Sequence, residues 1–248
     1  MSDRLLLGTR KGLFRIERGA DGHWRQSEHW FAGDPVSMLL AEADGPRRYA
    51  ALGLGHFGVK LQSSKDGGQH WDESPMPKFP AKPEGLEDKD PMRNTDVPWS
   101  TQLIWALEQG GAEELWCGVA PGAVFHSPDW GETWQLCRSL WDDPRRQKWM
   151  GGGYDFSGVH SVVVDPRDPA HITVAVSVGG VWTSHDRGAN WRLIGAGLRN
   201  VYMPPELQDD PLTQDPHRVV ACAARPERLW MQHHNGIFVS DDAGEQWR

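Results

Sequence analysis

The chain has 248 residues, of which 38% are hydrophobic, and a formal net charge of −8. This length allows a large core, and the acidic balance, with Lys and Arg scattered along the chain, argues against nucleic acid or a membrane surface as a partner. The N-terminal apolar run is too short for a signal peptide, and no segment is apolar enough to span a bilayer. The odd number of cysteines argues against a disulfide framework. We therefore expect a cytoplasmic protein.

Short apolar runs separated by turn sequences predict β-strands along the whole chain. Residues 4–24 predict three strands. The next segment predicts four, at Val36–Leu40, Tyr49–Leu54, Val59–Ser63 and from Trp71 onwards, with a turn at Asp44-Gly45-Pro46 between the first two. The same order of strands and turns recurs in the three segments that follow.

The sequence Ser-x-Asp-x-Gly-x-x-Trp occurs four times, with its aspartates at 66, 129, 186 and 242. An Asp in a tight turn can accept hydrogen bonds from backbone N–H groups, and the glycine tolerates a positive φ. The Trp offers a large apolar plate that can pack between neighbouring units. A repeat of this length predicts a stacked or radial architecture.

This motif resembles the Asp-box, or BNR, repeat of sialidase-like β-propellers, and the resemblance spans nearly the whole chain. It implies an all-β fold, a β-propeller of four-stranded Asp-box blades, with about five blades forming a single domain over residues 1–248. Relatives have six or seven blades. Because the N-terminal unit lacks its first strand and the chain stops after Trp247, we expect the natural protein to continue beyond Arg248 by roughly 90–120 residues.

In such blades, the turns between the second and third strands and the connections between blades lie on one face, here called the top face. Long connections at 72–101, 135–160 and 192–218 are expected there, and connections of that length are often functional. Histidines collect on the same face. Neutral imidazoles can bind a divalent metal or transfer protons near neutral pH. The predicted metal ligands are His56, His160, His217, His233 and His234.

Other polar residues of these connections complete the predicted site. The candidate catalytic residues are His160, His217, Asp155 and Glu206, with Asp215 as a further carboxylate partner. The candidate substrate-binding residues are Tyr154, Gln102, Arg218 and Asn235. The alternative for each histidine is a packing role at a rim or turn. His233 and His234 are adjacent, so in an extended strand at most one of them faces the central channel.

Sialidase activity is disfavoured by the residues themselves. Sialidases carry Phe-Arg-Ile-Pro near their start, whereas this chain has Phe14-Arg15-Ile16-Glu17, and no arginine triad can be assigned. Two classes remain open. One is a hydrolase or lyase acting on a polar, glycoside-like small molecule, with a divalent metal ion as its suggested cofactor. The other is a non-enzymatic scaffold that binds a protein partner on the same face. The histidines favour the enzyme slightly.

Overall fold

A computed structural model describes residues 3–42 and 45–248. These residues form two compact units, Met1–Met76 and Pro77–Arg248, called the first and second units. Both units consist mainly of antiparallel sheets built from consecutive strands, five sheets in all over the described residues. The predicted all-β class is therefore confirmed, while the single domain stays a prediction. No helix in the described part of the chain is long and apolar enough to cross a membrane.

The first unit contains a three-stranded and a four-stranded sheet, as predicted for this part of the chain. The strands are β1 (Arg4–Thr9), β2 (Gly12–Arg18) and β3 (Trp24–Trp30), followed by β4 (Val36–Ala41), β5 (Arg48–Gly53), β6 (Val59–Ser64) and β7 (Asp72–Ser74). A 3-10 turn at Gly55–Phe57 joins β5 to β6. The predicted turn at Asp44-Gly45-Pro46 falls partly outside the described residues.

The second unit contains three sheets. The first sheet consists of β8 (Leu103–Gln109), β9 (Leu115–Ala120), β10 (Ala123–Ser127) and β11 (Gln135–Leu136). The second consists of β12 (Val159–Asp165), β13 (Asp168–Val176), β14 (Gly180–Ser184) and β15 (Arg192–Ile194). The third consists of β16 (Pro216–Cys222), β17 (Arg225–His233) and β18 (Gly236–Ser240). A short helix, α1 (Arg138–Trp141), and 3-10 turns at Pro144–Lys148, Pro205–Leu207 and Pro211–Thr213 lie in the connections.

Large aromatic and branched side chains fill the space between neighbouring sheets of the second unit. Trp116 and Trp182 are fully buried in one cluster with residues of β12 and β13, and Trp247 packs in another with Met231. Burying side chains of this size contributes most of the apolar area that such a core removes from water. The sheets of this unit are therefore held together by apolar packing.

Two buried carboxylates form hydrogen bonds that hold the long connections of the second unit in place. Asp88 accepts hydrogen bonds from Arg146 (3.0 Å) and from the indole N–H of Trp99 (2.8 Å). Asp90 accepts the backbone N–H of Gly151 at 2.9 Å. These bonds join the proline-rich connection before β8 to the connection before β12, and so position residues 151–158 beside the candidate site.

The four Ser-x-Asp-x-Gly-x-x-Trp segments adopt one common turn. In the second copy, the Ser127 hydroxyl donates to Asp129 Oδ1 (2.9 Å) and accepts the Gly131 N–H (2.7 Å), while Asp129 Oδ1 accepts the Thr133 N–H (2.8 Å). The same serine and aspartate bonds recur around Asp66, Asp186 and Asp242.

The backbone of this turn differs from the prediction in one respect. The glycine has a positive φ, as predicted, but so does the residue before it, which is Trp130 (φ 58°), Arg187 (φ 56°) or Ala243 (φ 58°) in three of the copies. Left-handed backbone costs energy for a residue with a Cβ. The Ser and Asp hydrogen bonds must offset this cost.

We expect Asp129→Ala to lower the free energy of unfolding by about 1–2 kcal/mol, by analogy with helix caps, because several backbone and hydroxyl donors lose their acceptor. Urea denaturation measures the change. Asp209→Ala, at an exposed aspartate of the same unit, is the control and should leave stability within about 0.5 kcal/mol of the wild type. Equal stability of the two variants would show that the aspartate has no role in the turn.

Candidate functional site

The first strand of each sheet in the second unit carries a β-bulge at the same place. In β8, Ile104 pairs with Val119 and Ala106 with Gly118, so Trp105 is the extra residue. In β12 and β16 the corresponding pairings leave His160 and His217 as the extra residues. A bulge changes the direction of a side chain relative to the regular alternation of a strand. Three neighbouring strands thus present Trp105, His160 and His217 at equivalent positions. In the first unit, β4 has its bulge at Ser37.

The bulged residues of the second unit lie next to one another. The Trp105 and His160 rings meet edge to face, with centroids 6.0 Å apart. Gly158 makes room for this indole, because a Cβ there would lie 2.4 Å from the Trp105 ring. His160 Nδ1 lies 2.9 Å from the Ser161 hydroxyl, which also accepts the Val219 N–H from β16. One serine therefore orients the imidazole and joins two sheets.

His160 is almost fully buried, at 4% exposure. Burial lowers the pKa of His160 to about 3; the nearby His217 and Arg218 act in the same direction, and the Pro216 carbonyl acts against it. The imidazole is therefore neutral at physiological pH. Its Nε2 atom has no hydrogen-bond partner among the described residues.

His217, His234 and Asp215 meet because β16 and β17 are antiparallel. Pro216 pairs with His233, so the start of one strand faces the end of the other. The rings of His217 and His234 lie 4.3 Å apart, and His234 Nδ1 lies 3.4 Å from Asp215 Oδ2. One possible ligand atom from each of the three residues lies within 4.8 Å of the other two. His160, Asp215, His217, His233 and His234 are together called the histidine cluster.

His233 contacts the backbone of Asp215, which belongs to the cluster, and of Asn235. Its Nε2 lies 3.1 Å from the Asp215 backbone N–H, and its Nδ1 lies 3.2 Å from the Asn235 N–H. Burial lowers the pKa of His233 to about 4, with His234 and His217 acting in the same direction and the Asp215 carboxylate acting against them. A neutral imidazole has one acceptor nitrogen, so it can accept one of these two backbone N–H groups, whereas a protonated ring could accept neither. His233 is therefore a neutral positioning residue.

Glu108 is a titratable group that the sequence prediction missed. It lies on β8, three residues beyond Trp105, and is half-buried. Burial raises the pKa of Glu108 to about 7, while the Gln109 N–H and the positive charge of Arg218 on β16 act in the opposite direction. A carboxyl with this pKa can give up or accept a proton near neutral pH.

The remaining residues predicted for the site lie at different places in the structure. Arg218 Nη1 donates to the His160 carbonyl (3.4 Å), and the Tyr154 ring packs against Trp105 at 6.0 Å. Gln102 donates to Ser100, and the Asn235 side chain accepts the Val201 N–H, so both make local contacts. Asp155 and Glu206 are exposed. His56 belongs to the first unit, where its ring packs against Phe57, and its part in a shared site stays a prediction.

Two aromatic residues extend the cluster beyond the prediction. Trp105 occupies the bulged position of β8. Tyr202 is 73% exposed and meets His234 edge to face at 5.6 Å. Aligning the first strands of the repeats would have found Trp105, because Ile104-Trp105-Ala106 corresponds to Val159-His160-Ser161. No comparable signal in the sequence indicates Tyr202.

Several solved enzyme structures are similar to this chain. The Niastella koreensis GH74 enzyme gives a TM-score of 0.60 at 16% identity, covering 100% of this chain and 35% of that one. The GH74 xyloglucanase from Xanthomonas campestris gives 0.57 at 16%, covering 99% and 37%. An ancestral GH74 enzyme gives 0.55 at 14%, covering 86% and 23%.

These structures are β-propellers, and the likeness shows a β-propeller fold for this chain. The chain spans between 23% and 37% of their length. No protein-family model and no curated protein sequence matches it. The chemistry must therefore be argued from the cluster itself.

We expect Glu108→Gln to change stability in a pH-dependent way. Because the folded pKa is about 7 against an ordinary value of 4.5, the glutamate stabilises the fold below about pH 4.5 and loses this contribution as pH rises through 7. Glutamine cannot ionise. The stability of Glu108→Gln relative to wild type should therefore rise by about 2–3 kcal/mol between pH 5 and pH 8.

Urea denaturation at both pH values measures this difference. Glu87→Gln, at an exposed glutamate of the same unit, is the control and should show the same stability relative to wild type at both. A Glu108→Gln variant that behaves like this control would contradict the raised pKa.

Proposed function

We propose that this protein is an Asp-box β-propeller whose histidine cluster is the site of a hydrolase or lyase acting on a polar, glycoside-like small molecule. Divalent-metal assistance belongs to this proposal. The main observation in support of this proposal is the set of equivalent bulges in β8, β12 and β16. Three neighbouring strands place Trp105, His160 and His217 together beside Asp215 and His234. Bulges are often found next to active sites, where they direct a side chain.

The chemistry of the cluster supports bond cleavage by proton transfer. Cleaving a glycosidic bond requires a group that protonates the leaving oxygen and a second group that acts as base or nucleophile. His217 and His234 are partly exposed imidazoles facing each other at 4.3 Å. Glu108, on β8 and within the electrostatic influence of Arg218, supplies a carboxyl with a pKa of about 7. Imidazole and carboxyl groups are the side chains that most often act as general acid and base in enzymes.

Neighbouring aromatic and cationic groups support binding of a polar ring. Trp105 and Tyr154 present adjacent aromatic rings, and Tyr202 presents a third beside His234. Aromatic faces can cover the apolar side of a polar ligand, while a few placed polar groups fix its orientation. Arg218 is exposed next to His160 and can pair with an anionic substituent.

The repeated turns and the structural comparison support the propeller part of the proposal. Four turns share the Ser and Asp hydrogen bonds that the Asp-box motif predicts. One of the similar structures is described as a xyloglucanase. At 16% identity this likeness concerns the fold alone, so glycoside cleavage by the present chain rests on the cluster.

A panel of 4-nitrophenyl glycosides tests the proposal. We expect the wild-type protein to release 4-nitrophenol from at least one of them. His217→Ala should lower kcat/KM by about 100-fold or more, which is the range for losing a proton-transfer residue. The matched control is His185→Ala, since His185 is an exposed histidine of the same unit that stacks on His171. The control should keep wild-type activity.

Two results would overturn the proposal. Equal activity of His217→Ala and wild type would remove the cluster from the chemistry. Absence of both turnover and binding across the panel, the latter measured by saturation-transfer NMR with methyl glycosides, would favour the protein-binding scaffold instead.

A further inference from the structure

Asp215 carries a buried carboxylate with little hydrogen bonding. The residue is 3% exposed. Among the described residues its carboxylate accepts one hydrogen bond, a long one of 3.3 Å from the Val178 N–H. A buried carboxylate is costly unless a cation or several donors compensate it. The nearest group with a possible positive charge is the imidazole of His234, with Nδ1 at 3.4 Å from Oδ2. The carboxylate therefore lacks a full set of partners within the described chain.

Beside this carboxylate, His217 and His234 have ring nitrogens that can bind a metal ion. His217 Nε2 is buried and has no hydrogen-bond partner in the part of the chain that the structure describes. His234 is 47% exposed at its side chain, so its ring can adjust by rotation. One ligand atom each from Asp215, His217 and His234 already lies within 4.8 Å of the others. Ligands of a tetrahedral zinc ion, bound at 2.0–2.2 Å, lie about 3.4 Å apart.

The other two histidines of the cluster make polar contacts outside the three-residue group. His233 has both ring nitrogens facing backbone N–H groups. His160 has Nδ1 against the Ser161 hydroxyl, while its Nε2 has no partner among the described residues. The contact of His233 with the Asp215 N–H helps to orient Asp215. Neutral second-layer groups of this kind orient ligands in metal sites.

We infer that Asp215, His217 and His234 form a three-ligand site for a divalent transition metal, with Zn²⁺ as the ion that the donor set fits. Two imidazoles and one carboxylate are a known zinc ligand set, and three protein ligands leave a fourth position for water or a substrate oxygen. One carboxylate and two neutral imidazoles also leave a bound Zn²⁺ with a net positive charge that favours an oxygen ligand. This inference rests on the proposed function, because it assigns a cofactor to the same cluster.

Direct metal binding tests the inference without an activity assay. The full chain is treated with a chelator, dialysed, and titrated with ZnCl₂ by calorimetry; elemental mass spectrometry gives the stoichiometry. We expect one Zn²⁺ per wild-type chain and a rise in Tm on binding. His234→Ala should weaken binding by at least about 100-fold, more than the loss of a second-layer partner, and should abolish the rise in Tm. His234 is exposed, so this variant is expected to fold.

His185→Ala is the matched control and should bind Zn²⁺ as the wild type does. No stoichiometric Zn²⁺ on the wild type, wild-type affinity in His234→Ala, or loss of binding in His185→Ala would each overturn the site. The two proposals fail separately. A wild-type protein that cleaves a glycoside but binds no stoichiometric Zn²⁺ would refute the metal site and the metal assistance, and would leave proton transfer by the cluster standing. One bound Zn²⁺ in a protein that neither cleaves nor binds a glycoside would keep the metal site and refute the proposed enzyme.

Discussion

One extra residue near the start of the first strand in each of three neighbouring sheets determines where the histidine cluster forms. A regular strand alternates its side chains between two faces, and a bulge interrupts that alternation at one residue. Trp105, His160 and His217 are these residues in β8, β12 and β16. Because the bulges recur at the same register, their side chains gather at one place. The position of the histidine cluster thus follows from a backbone irregularity that the repeats share.

Electrostatics then separates the roles of chemically similar groups. His160 and His233 are buried, and burial is the main reason that the pKa of both imidazoles lies well below the ordinary value. They can orient neighbours but carry no positive charge at neutral pH. His217 and His234 lie closer to solvent and beside the Asp215 carboxylate. The buried histidines form a neutral support, while the other two remain available to a ligand or a metal ion.

The repeated turns provide the frame for this arrangement. Each one holds a left-handed residue pair in place through serine and aspartate hydrogen bonds. The turns set where the third strand ends in four of the five described sheets, and the packed tryptophans join the neighbouring sheets of the second unit. The aspartates of these turns are thereby structural, in keeping with the low specificity of the motif for any one chemistry.

The sequence predicts the strands well, because turn residues and alternation are local signals. The predicted first strand at Val36–Leu40 is observed at Val36–Ala41. His217 and His234 are brought together by an antiparallel pairing that the repeat also implies. By contrast, Trp105 and Glu108 were not predicted as site residues from the sequence. A β-bulge cannot be recognised from amino-acid composition. The raised pKa of Glu108 depends on burial, which no local sequence pattern predicts.

Ring-to-ring distances in solution test the bulge arrangement most directly. In a deuterated protein with protonated histidine and tryptophan side chains, NMR can detect cross-relaxation between rings a few ångströms apart. We predict NOEs between the rings of His217 and His234, whose centroids are 4.3 Å apart, and between Trp105 and His160, at 6.0 Å. Detecting both pairs would support the common register of the bulges. If neither pair gave an NOE in a folded sample, the three strands would not share the bulge, and the histidine cluster would not exist.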